Sequence, residues 1–292
     1  MQKHQACGGQ SVQADRTEAL LAQFAARHWA DVSLNEINAA LAVPSMLSLE
    51  ESQLYHWLGK QAAGFGASID LGAFAGGSAA RLLSGLAAGG RPHHLHAYDH
   101  FTADAAARAR HLSPGGVALT EQNDILPLVA RLLEPWIGHF TLHRGDIATQ
   151  TWTGEPIEIL AIDAAKNTAS TDHIAATFFP ALVPGRSIVI QQDFLHVRQP
   201  WLCVQMQALA AHFEPLAHVA EDCVVFLNTA QVTPQALRAA KTDGLNDARL
   251  LSGVRAAARL YGPLIARRRF GAMVKRIQAN PGIRAAWGMR NL

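Results

Sequence analysis

The sequence predicts an α/β protein in which a mostly parallel sheet is covered by helices on both faces. Two observations predict this fold class. From residue 67 onward, short apolar runs alternate with segments of helical periodicity, which is the pattern of repeated strand–helix–strand units. The first run leads into a turn that contains Gly72, Gly76 and Gly77 and precedes an alanine-rich helical pattern. Such glycines let a ligand approach the backbone N–H groups of a helix N-terminus.

Composition and charge limit the classes of protein to consider. The chain has 292 residues, 49% apolar and 16% charged, and so can bury the core of one large domain or of two small ones. Its formal net charge of +2 gives no reason to expect a nucleic-acid partner. No apolar run is long enough for a membrane span. Three cysteines without metal-type spacing and a polar N-terminal stretch predict a cytoplasmic protein with no membrane partner.

The segment before the first strand is predicted to be helical. Apolar residues share one face over residues 16–31, and Ser33 can cap a second helix at 34–41. Ser48 with Glu51 forms a capping-box pattern, which opens a third helix that runs to about residue 63.

Seven strands are predicted next, because seven short apolar runs are bounded by turn residues. The last two are joined by so short a return that we expect an antiparallel hairpin at the sheet edge. The predicted strands cover residues 67–71, 94–98, 140–143, 157–162, 187–191, 214–219 and 223–227. Helical periodicity predicts helices at 78–86, 126–133, 171–181 and 201–212. The connection after the second strand contains the turn sequence Ser113-Pro-Gly-Gly.

These elements divide the chain into four parts. They are a flexible N-terminus (1–15), an N-terminal helical extension that acts as a lid or an oligomer contact (16–66), the sheet domain (67–230) and a C-terminal helical extension (231–292). The last part is rich in Arg and Lys over residues 254–277. That charge predicts either a surface for an acidic partner or the solvated face of amphipathic helices.

Acidic residues stand at the ends of four predicted strands. Asp70 lies near the end of the first strand, and Asp99 follows the second. Asp163 follows the fourth strand and Asp193 the fifth. Ligands of open α/β sheets bind outside the carboxyl ends of the strands, so these carboxylates predict a polar site there. A carboxylate after the second strand can accept charge-assisted hydrogen bonds from ribose hydroxyls.

The run Ile69-Asp-Leu-Gly-Ala-Phe-Ala-Gly-Gly-Ser resembles the first motif of the class I S-adenosylmethionine-dependent methyltransferases. The small-molecule and sugar O-methyltransferases are the most similar branch. The segments 97–99, 144–147, 160–163 and 182–193 resemble the later motifs in the same order. The resemblance covers residues 47–230 and implies a Rossmann-like, seven-stranded sheet whose seventh strand is antiparallel.

The same resemblance implies S-adenosyl-L-methionine as the cofactor. Its methionine part would lie on the glycine turn, its ribose on Asp99 and its adenine near Asp146. The residues implied in binding are Asp70, Gly72, Ala73, Phe74, Gly76, Ser78, Asp99, His100, Asp146, Ile147 and Asp163. The glycines follow the pattern Gly-x-x-x-Gly-Gly and not Gly-x-Gly-x-x-Gly, which disfavours a nicotinamide oxidoreductase.

The run Asp163-Ala-Ala-Lys166 resembles the Asp-x-x-Lys motif of metal-dependent catechol-type methyltransferases. That resemblance implies Mg²⁺ on Asp163 and Asp193, with Lys166 as general base. Those enzymes carry two adjacent metal ligands after the fifth strand, where this chain has Gln191-Gln192-Asp193. Two alternatives stay open: a metal-free reaction with His196 as base, or ordinary structural roles for Lys166 and His196.

The sequence therefore predicts a methyltransferase that methylates a hydroxyl of a small natural-product or sugar-like acceptor, and we expect it to form a homodimer. The alternative is a non-catalytic nucleoside-binding or scaffold protein on the same fold, because a fold does not fix a function.

Overall fold

The computed structural model describes residues 18–112 and 123–290, and a seven-stranded sheet forms its centre. The strands are β1 (Ala67–Leu71), β2 (Leu95–Asp99), β3 (Phe140–Arg144), β4 (Ile157–Ile162), β5 (Ile188–Gln191), β6 (Phe213–Val219) and β7 (Cys223–Asn228). Their order across the sheet is β3-β2-β1-β4-β5-β7-β6. The seven predicted strands are all present, with ends close to those predicted.

The first five strands are parallel. β1 pairs with β2 and β4, β2 with β3, and β4 with β5. β7 runs antiparallel to both β5 and β6. The predicted fold class, a Rossmann-like sheet whose seventh strand is antiparallel, is therefore confirmed. The strand order reverses between β1 and β4, which is the position where sheets of this kind bind their ligands.

Helices cover both faces of the sheet. They are α1 (Leu34–Leu41), α2 (Leu49–Gln61), α3 (Gly77–Gly89), α4 (Leu126–Leu132), α5 (Thr168–Phe178), α6 (Trp201–Ala208), α7 (Pro234–Ala239), α8 (Asp247–Leu260) and α9 (Arg267–Ala279). Four helices differ from the prediction. Of the helix predicted over 16–31, the described residues are helical over 18–25, and a separate 3-10 turn follows at His28–Asp31. α3 extends to Gly89, beyond the predicted residue 86. α5 begins before residue 171 because the side chain of Asn167 caps it, accepting the Ser170 N–H at 2.8 Å. α6 ends at Ala208, ahead of the predicted residue 212.

The N-terminal helices begin at the predicted caps. The Ser33 hydroxyl accepts the Glu36 N–H at 3.4 Å, and the Ser48 hydroxyl accepts the Glu51 N–H at 3.2 Å. The Glu51 carboxylate in turn accepts the Ser48 N–H at 2.7 Å, which completes a capping box.

α2 and α3 are in contact through their backbones. A Cβ added to Gly85 would lie 1.9 Å from the carbonyl oxygen of His56, and one added to Gly59 would lie 2.5 Å from that of Leu82. Such an approach requires glycine on both helices. The N-terminal extension therefore packs directly on the first helix of the sheet domain.

Arg81 of α3 strengthens this contact. Its guanidinium is buried and donates to the Ser52 hydroxyl at 3.1 Å and to the carbonyl oxygens of Val43 and Gly77 at 3.0 and 2.8 Å. One buried side chain thus joins α2, the segment after α1 and the start of α3.

The C-terminal helices pack on the opposite face of the sheet. Leu250 and Val254 of α8, together with Phe270 and Met273 of α9, belong to the same apolar cluster as Leu71 of β1. Arginine and lysine residues of the two helices are exposed, namely Arg255, Arg259, Arg267, Arg268 and Lys275. The basic residues therefore form the solvated face of amphipathic helices.

Beyond α9 the chain returns to the carboxyl end of β4. We call residues 283–288 the return segment. The Ala286 N–H donates to the carbonyl oxygen of Lys166 at 2.9 Å, and the Thr168 N–H donates to that of Arg284 at 3.2 Å. The segment therefore lies against the start of α5.

Two predictions, the flexible stretch 1–15 and the Ser113-Pro-Gly-Gly turn, lie outside the described residues. Within residues 18–112 and 123–290, no helix combines the length and the apolar character needed to cross a membrane.

Candidate active site

A cleft of about 540 Å³ lies at the carboxyl ends of β1, β2 and β4. This volume lies within the range of small-molecule and cofactor sites. Among the predicted site residues, those that line it are Gly72, Phe74, Asp99, His100, Asp146, Ile147, Asp163 and Lys166. The sheet thus brings together side chains that the sequence separates by many residues.

The glycine turn forms one wall of this cleft. Gly72 has a φ of +97°, and its N–H donates to the carbonyl oxygen of Tyr98 at 2.8 Å. A Cβ at this position would lie 2.9 Å from the carbonyl carbon of Asp163. Gly76, with a φ of +84°, caps the start of α3 and faces Leu133. The loop after β1 and the loop after β4 can approach each other this closely at Asp163 only because residue 72 is glycine.

We expect Gly72→Ala to destabilise the protein more than a glycine substitution that introduces backbone strain alone. Gly138→Ala is the matched control, because Gly138 also has a positive φ of +86° but has no atom within 4 Å of an added Cβ. The control should cost about 1 kcal/mol of unfolding free energy, the usual cost of a left-handed residue. Gly72→Ala should cost about 2 kcal/mol, because backbone must also move. Urea denaturation measures both, and equal losses would contradict a destabilising effect of the close approach between Gly72 and Asp163.

Asp99 is held by the backbone around it. Its Oδ2 accepts the Phe74 N–H at 3.0 Å, and its Oδ1 accepts the Phe101 N–H at 2.7 Å. Both phenylalanines have positive φ, +47° and +52°, which is uncommon for a bulky residue and is typical of functional sites. Each carboxylate oxygen has a second acceptor position, so Asp99 retains the capacity to accept two hydroxyl hydrogens from a ligand.

A small cavity of about 30 Å³ adjoins the cleft beside the glycine turn. Asp70, Ala73 and Ser78 line it, and the Ser78 hydroxyl donates to the Asp70 carboxylate at 2.6 Å. Burial raises the pKa of Asp70 to about 7, although the Ser78 hydrogen bond acts in the opposite direction. The cavity has room for one or two water-sized polar groups.

Lys166 lies between two carboxylates. Its ammonium makes ion pairs with Asp163, at the end of β4, and with Asp193, after β5. Burial acts to lower the pKa of Lys166, but the two carboxylates outweigh it and raise that pKa above its ordinary value. Lys166 is therefore protonated at neutral pH.

The two carboxylates around Lys166 differ from each other. Burial raises the pKa of Asp163, and the nearby Asp193 acts in the same direction. Burial also acts to raise the pKa of Asp193, but the contacts with Lys166 and Gln199 lower it below its ordinary value. The Gln199 amide donates to Asp193 Oδ2 at 2.6 Å.

These groups do not fit the predicted Mg²⁺ site. The Lys166 ammonium contacts the two carboxylates that would have to share the metal. Among the described residues, no three His, Cys, Asp or Glu side chains are grouped so that they could hold a metal ion.

His196 lies close to this group but outside the lining of the cleft. The backbone N–H of His196 donates to the carbonyl oxygen of Asp193 at 3.0 Å. The Nδ1 atom of its ring lies 3.5 Å from the amide nitrogen of Gln199. Its role as a base stays a prediction.

Gln192, which follows β5, interacts with the N-terminal extension. The Tyr55 hydroxyl donates to its Oε1 at 3.1 Å, and its amide nitrogen donates to Glu51. Tyr55 is buried and lines the small cavity with Asp70 and Asp163. Helix α2 therefore contributes directly to the floor of the site.

Sequence reasoning missed two large, exposed apolar side chains on the cleft. Met46 of the N-terminal extension and Trp287 of the return segment both line it, although they are 61% and 72% exposed. Large exposed apolar side chains at the edge of a cleft are typical of a ligand-binding surface. Nothing in the local sequence around either residue signals this position.

The chain has the fold of class I methyltransferases. Among solved structures it is similar to the O-methyltransferase NovP, at 16% identity and a TM-score of 0.50 over 64% of this chain and 82% of that one. It is also similar to the SAH-bound methyltransferase PaMTH1 of Podospora anserina, at 12% identity and a TM-score of 0.43 over 79% and 98% of the two chains. No protein-family model and no curated protein sequence matches the chain. The likeness to NovP shows the fold that the first motif predicted.

Proposed function

We propose that the protein is an S-adenosylmethionine-dependent methyltransferase that methylates a hydroxyl group of a small molecule. One observation carries the proposal: the glycine turn after β1 and the carboxylate of Asp99 after β2 line the same cleft. This arrangement suits a ligand that carries a ribose and a charged amino-acid part, because it offers acceptors for hydroxyls beside a positive helix N-terminus.

The residues around the cleft fit this cofactor. Asp99 would accept the ribose hydroxyls, and Ile147 would pack against the adenine. The methionine part would extend along Gly72, with its amine toward the buried carboxylate of Asp70. The proposal is supported by the small cavity beside Asp70, which has the size of one such polar group.

S-adenosylmethionine, when bound, supplies an electrophilic methyl group on a sulfonium. The task of the chain is to align an acceptor hydroxyl with that methyl and to take up the hydroxyl proton. We assign the proton to Asp163, a carboxylate that lines the cleft beside Lys166. Lys166 is less suited to be the base, because a protonated ammonium has no lone pair to accept a proton.

Met46 and Trp287 would contact the acceptor. Both side chains are exposed at the cleft and apolar. An indole ring offers a flat surface on which a planar or sugar-like acceptor can stack.

The formation of a homodimer also stays a prediction, which light scattering would check.

Calorimetric titration with S-adenosylhomocysteine tests the proposal. We expect micromolar or tighter binding, whereas NADH, which also carries an adenosine, should not bind because the chain lacks the glycine pattern of a pyrophosphate site. Absence of S-adenosylhomocysteine binding at millimolar concentration would contradict the proposal. Binding without methyl transfer across a broad set of hydroxyl, amine and thiol acceptors would favour a non-catalytic protein.

A further inference from the structure

We propose that the ammonium group of Lys166 takes the place of a divalent cation between Asp163 and Asp193, so that the site works without a metal ion. The role of Lys166 in a reaction rests on the proposed function. The position of the cation rests on contacts of the chain itself.

The two carboxylates converge because of the sheet. Asp163 directly follows β4 and Asp193 follows β5, and these neighbouring strands are parallel, so both carboxylates lie at the same edge. Lys166 comes three residues after Asp163 and reaches both of them. A single positive charge thus lies between two negative ones, as a bound cation would.

The groups around Asp193 are hydrogen-bond donors and not metal ligands. Lys166 and the amide nitrogen of Gln199 both contact its Oδ2. Magnesium requires about six oxygen ligands in octahedral geometry. The carboxylate that a metal would bind is instead satisfied by N–H groups.

Gln192, the residue before Asp193, is also committed elsewhere. Its Oε1 accepts the Tyr55 hydroxyl, and its amide nitrogen donates to Glu51. Both polar atoms of this side chain therefore serve the contact with α2. The side chain next to Asp193 cannot bind a metal without breaking that contact.

In the position of a metal ion, the ammonium of Lys166 can also contact the acceptor. An ammonium has three N–H donors, and the two carboxylates use two of them. Lys166 also lines the cleft, where its side chain is 41% exposed. The third N–H can therefore donate to the acceptor oxygen, which is the contact that a metal ion would otherwise provide.

Removal of the ammonium leaves the two converging carboxylates of Asp163 and Asp193 without their shared cation, and these two groups together with water molecules can then hold a divalent cation. We expect wild-type protein to bind no Mn²⁺ at micromolar concentration. The Lys166→Ala variant should bind Mn²⁺ with an affinity at least ten-fold higher than that of wild-type protein. The electron paramagnetic resonance of free Mn²⁺ measures both affinities. The added substitution Asp193→Asn should remove the gain. Lys60→Ala is the matched control, because Lys60 pairs with Glu36 at the surface, away from the cleft, and its removal should change nothing.

Three outcomes would overturn the proposal. They are tight Mn²⁺ binding by wild-type protein that Asp193→Asn abolishes, no gain of affinity in a folded Lys166→Ala variant, or a gain that survives Asp193→Asn. If circular dichroism shows Lys166→Ala to be unfolded, Lys166→Met retains most of the side-chain volume and replaces it. The titration contains no S-adenosylhomocysteine, so its result is independent of whether the proposed function holds.

Discussion

Replacement of Asp99 by alanine should weaken the binding of S-adenosylhomocysteine by about ten- to one-hundred-fold. Under the proposed function the carboxylate accepts hydrogen bonds from the ribose hydroxyls, and a hydrogen bond to a charged group contributes about 1.5–3 kcal/mol. A change of about 1.4 kcal/mol corresponds to ten-fold in affinity. Calorimetric titration of wild-type and variant protein measures the difference directly.

The control must separate ligand contact from turn support, because Asp99 also accepts the N–H groups of Phe74 and Phe101. Asp99→Asn retains one acceptor oxygen and should lose less affinity than Asp99→Ala. Asp124→Ala removes a carboxylate that pairs with Arg144 outside the cleft lining, and it should leave the affinity unchanged. Full affinity in a folded Asp99→Ala variant would show that the ribose does not lie on Asp99.

Replacement of Arg81 by alanine should lower the free energy of unfolding by about 4 kcal/mol. Its buried guanidinium makes three hydrogen bonds, and its loss leaves the carbonyl oxygens of Val43 and Gly77 without that partner. Bonds to charged groups contribute about 1.5–3 kcal/mol each, less what the surroundings recover by relaxation. Burial lowers the pKa of Arg81 to about 10, so the group remains charged at neutral pH.

Urea denaturation of Arg81→Ala tests this expectation, with the exposed Arg131→Ala as matched control. The control should change stability by less than about 0.5 kcal/mol. Arg81 also holds the segment before Met46 near Gly77, where an added Cβ would lie 2.5 Å from the Pro44 carbonyl oxygen. We therefore expect weaker S-adenosylhomocysteine binding as well. Equal stability of the two variants would contradict the anchoring role of Arg81.

The sheet could be predicted from the sequence because its signals are local. Each strand is a short apolar run between turn residues, and the order of strands and helices follows the chain. The glycine turn and Asp99 were predictable for the same reason, since a turn after β1 and an acid after β2 have fixed places in a parallel sheet. Capping pairs such as Ser48 and Glu51 are likewise contained within four residues.

Other features of the site could not be predicted, because they depend on contacts between distant parts of the chain or on unusual backbone angles. The position of Lys166 between two carboxylates depends on a rotamer and on the loop after β5, neither of which has a periodic signal. Trp287 reaches the cleft only through the backbone contacts of the return segment. The positive φ of Phe74 contradicts the preference of its residue type, so composition could not reveal it.

The contact between the return segment and the start of α5 has a consequence for synthesis. A ribosome completes all seven strands before it adds residues 283–288, so a nascent chain with a full sheet still lacks Trp287, one of the side chains that line its cleft. Until Trp287 has been synthesised and the return segment has docked, the cleft lacks this indole surface. The binding surface is therefore completed only after the whole sheet has been synthesised.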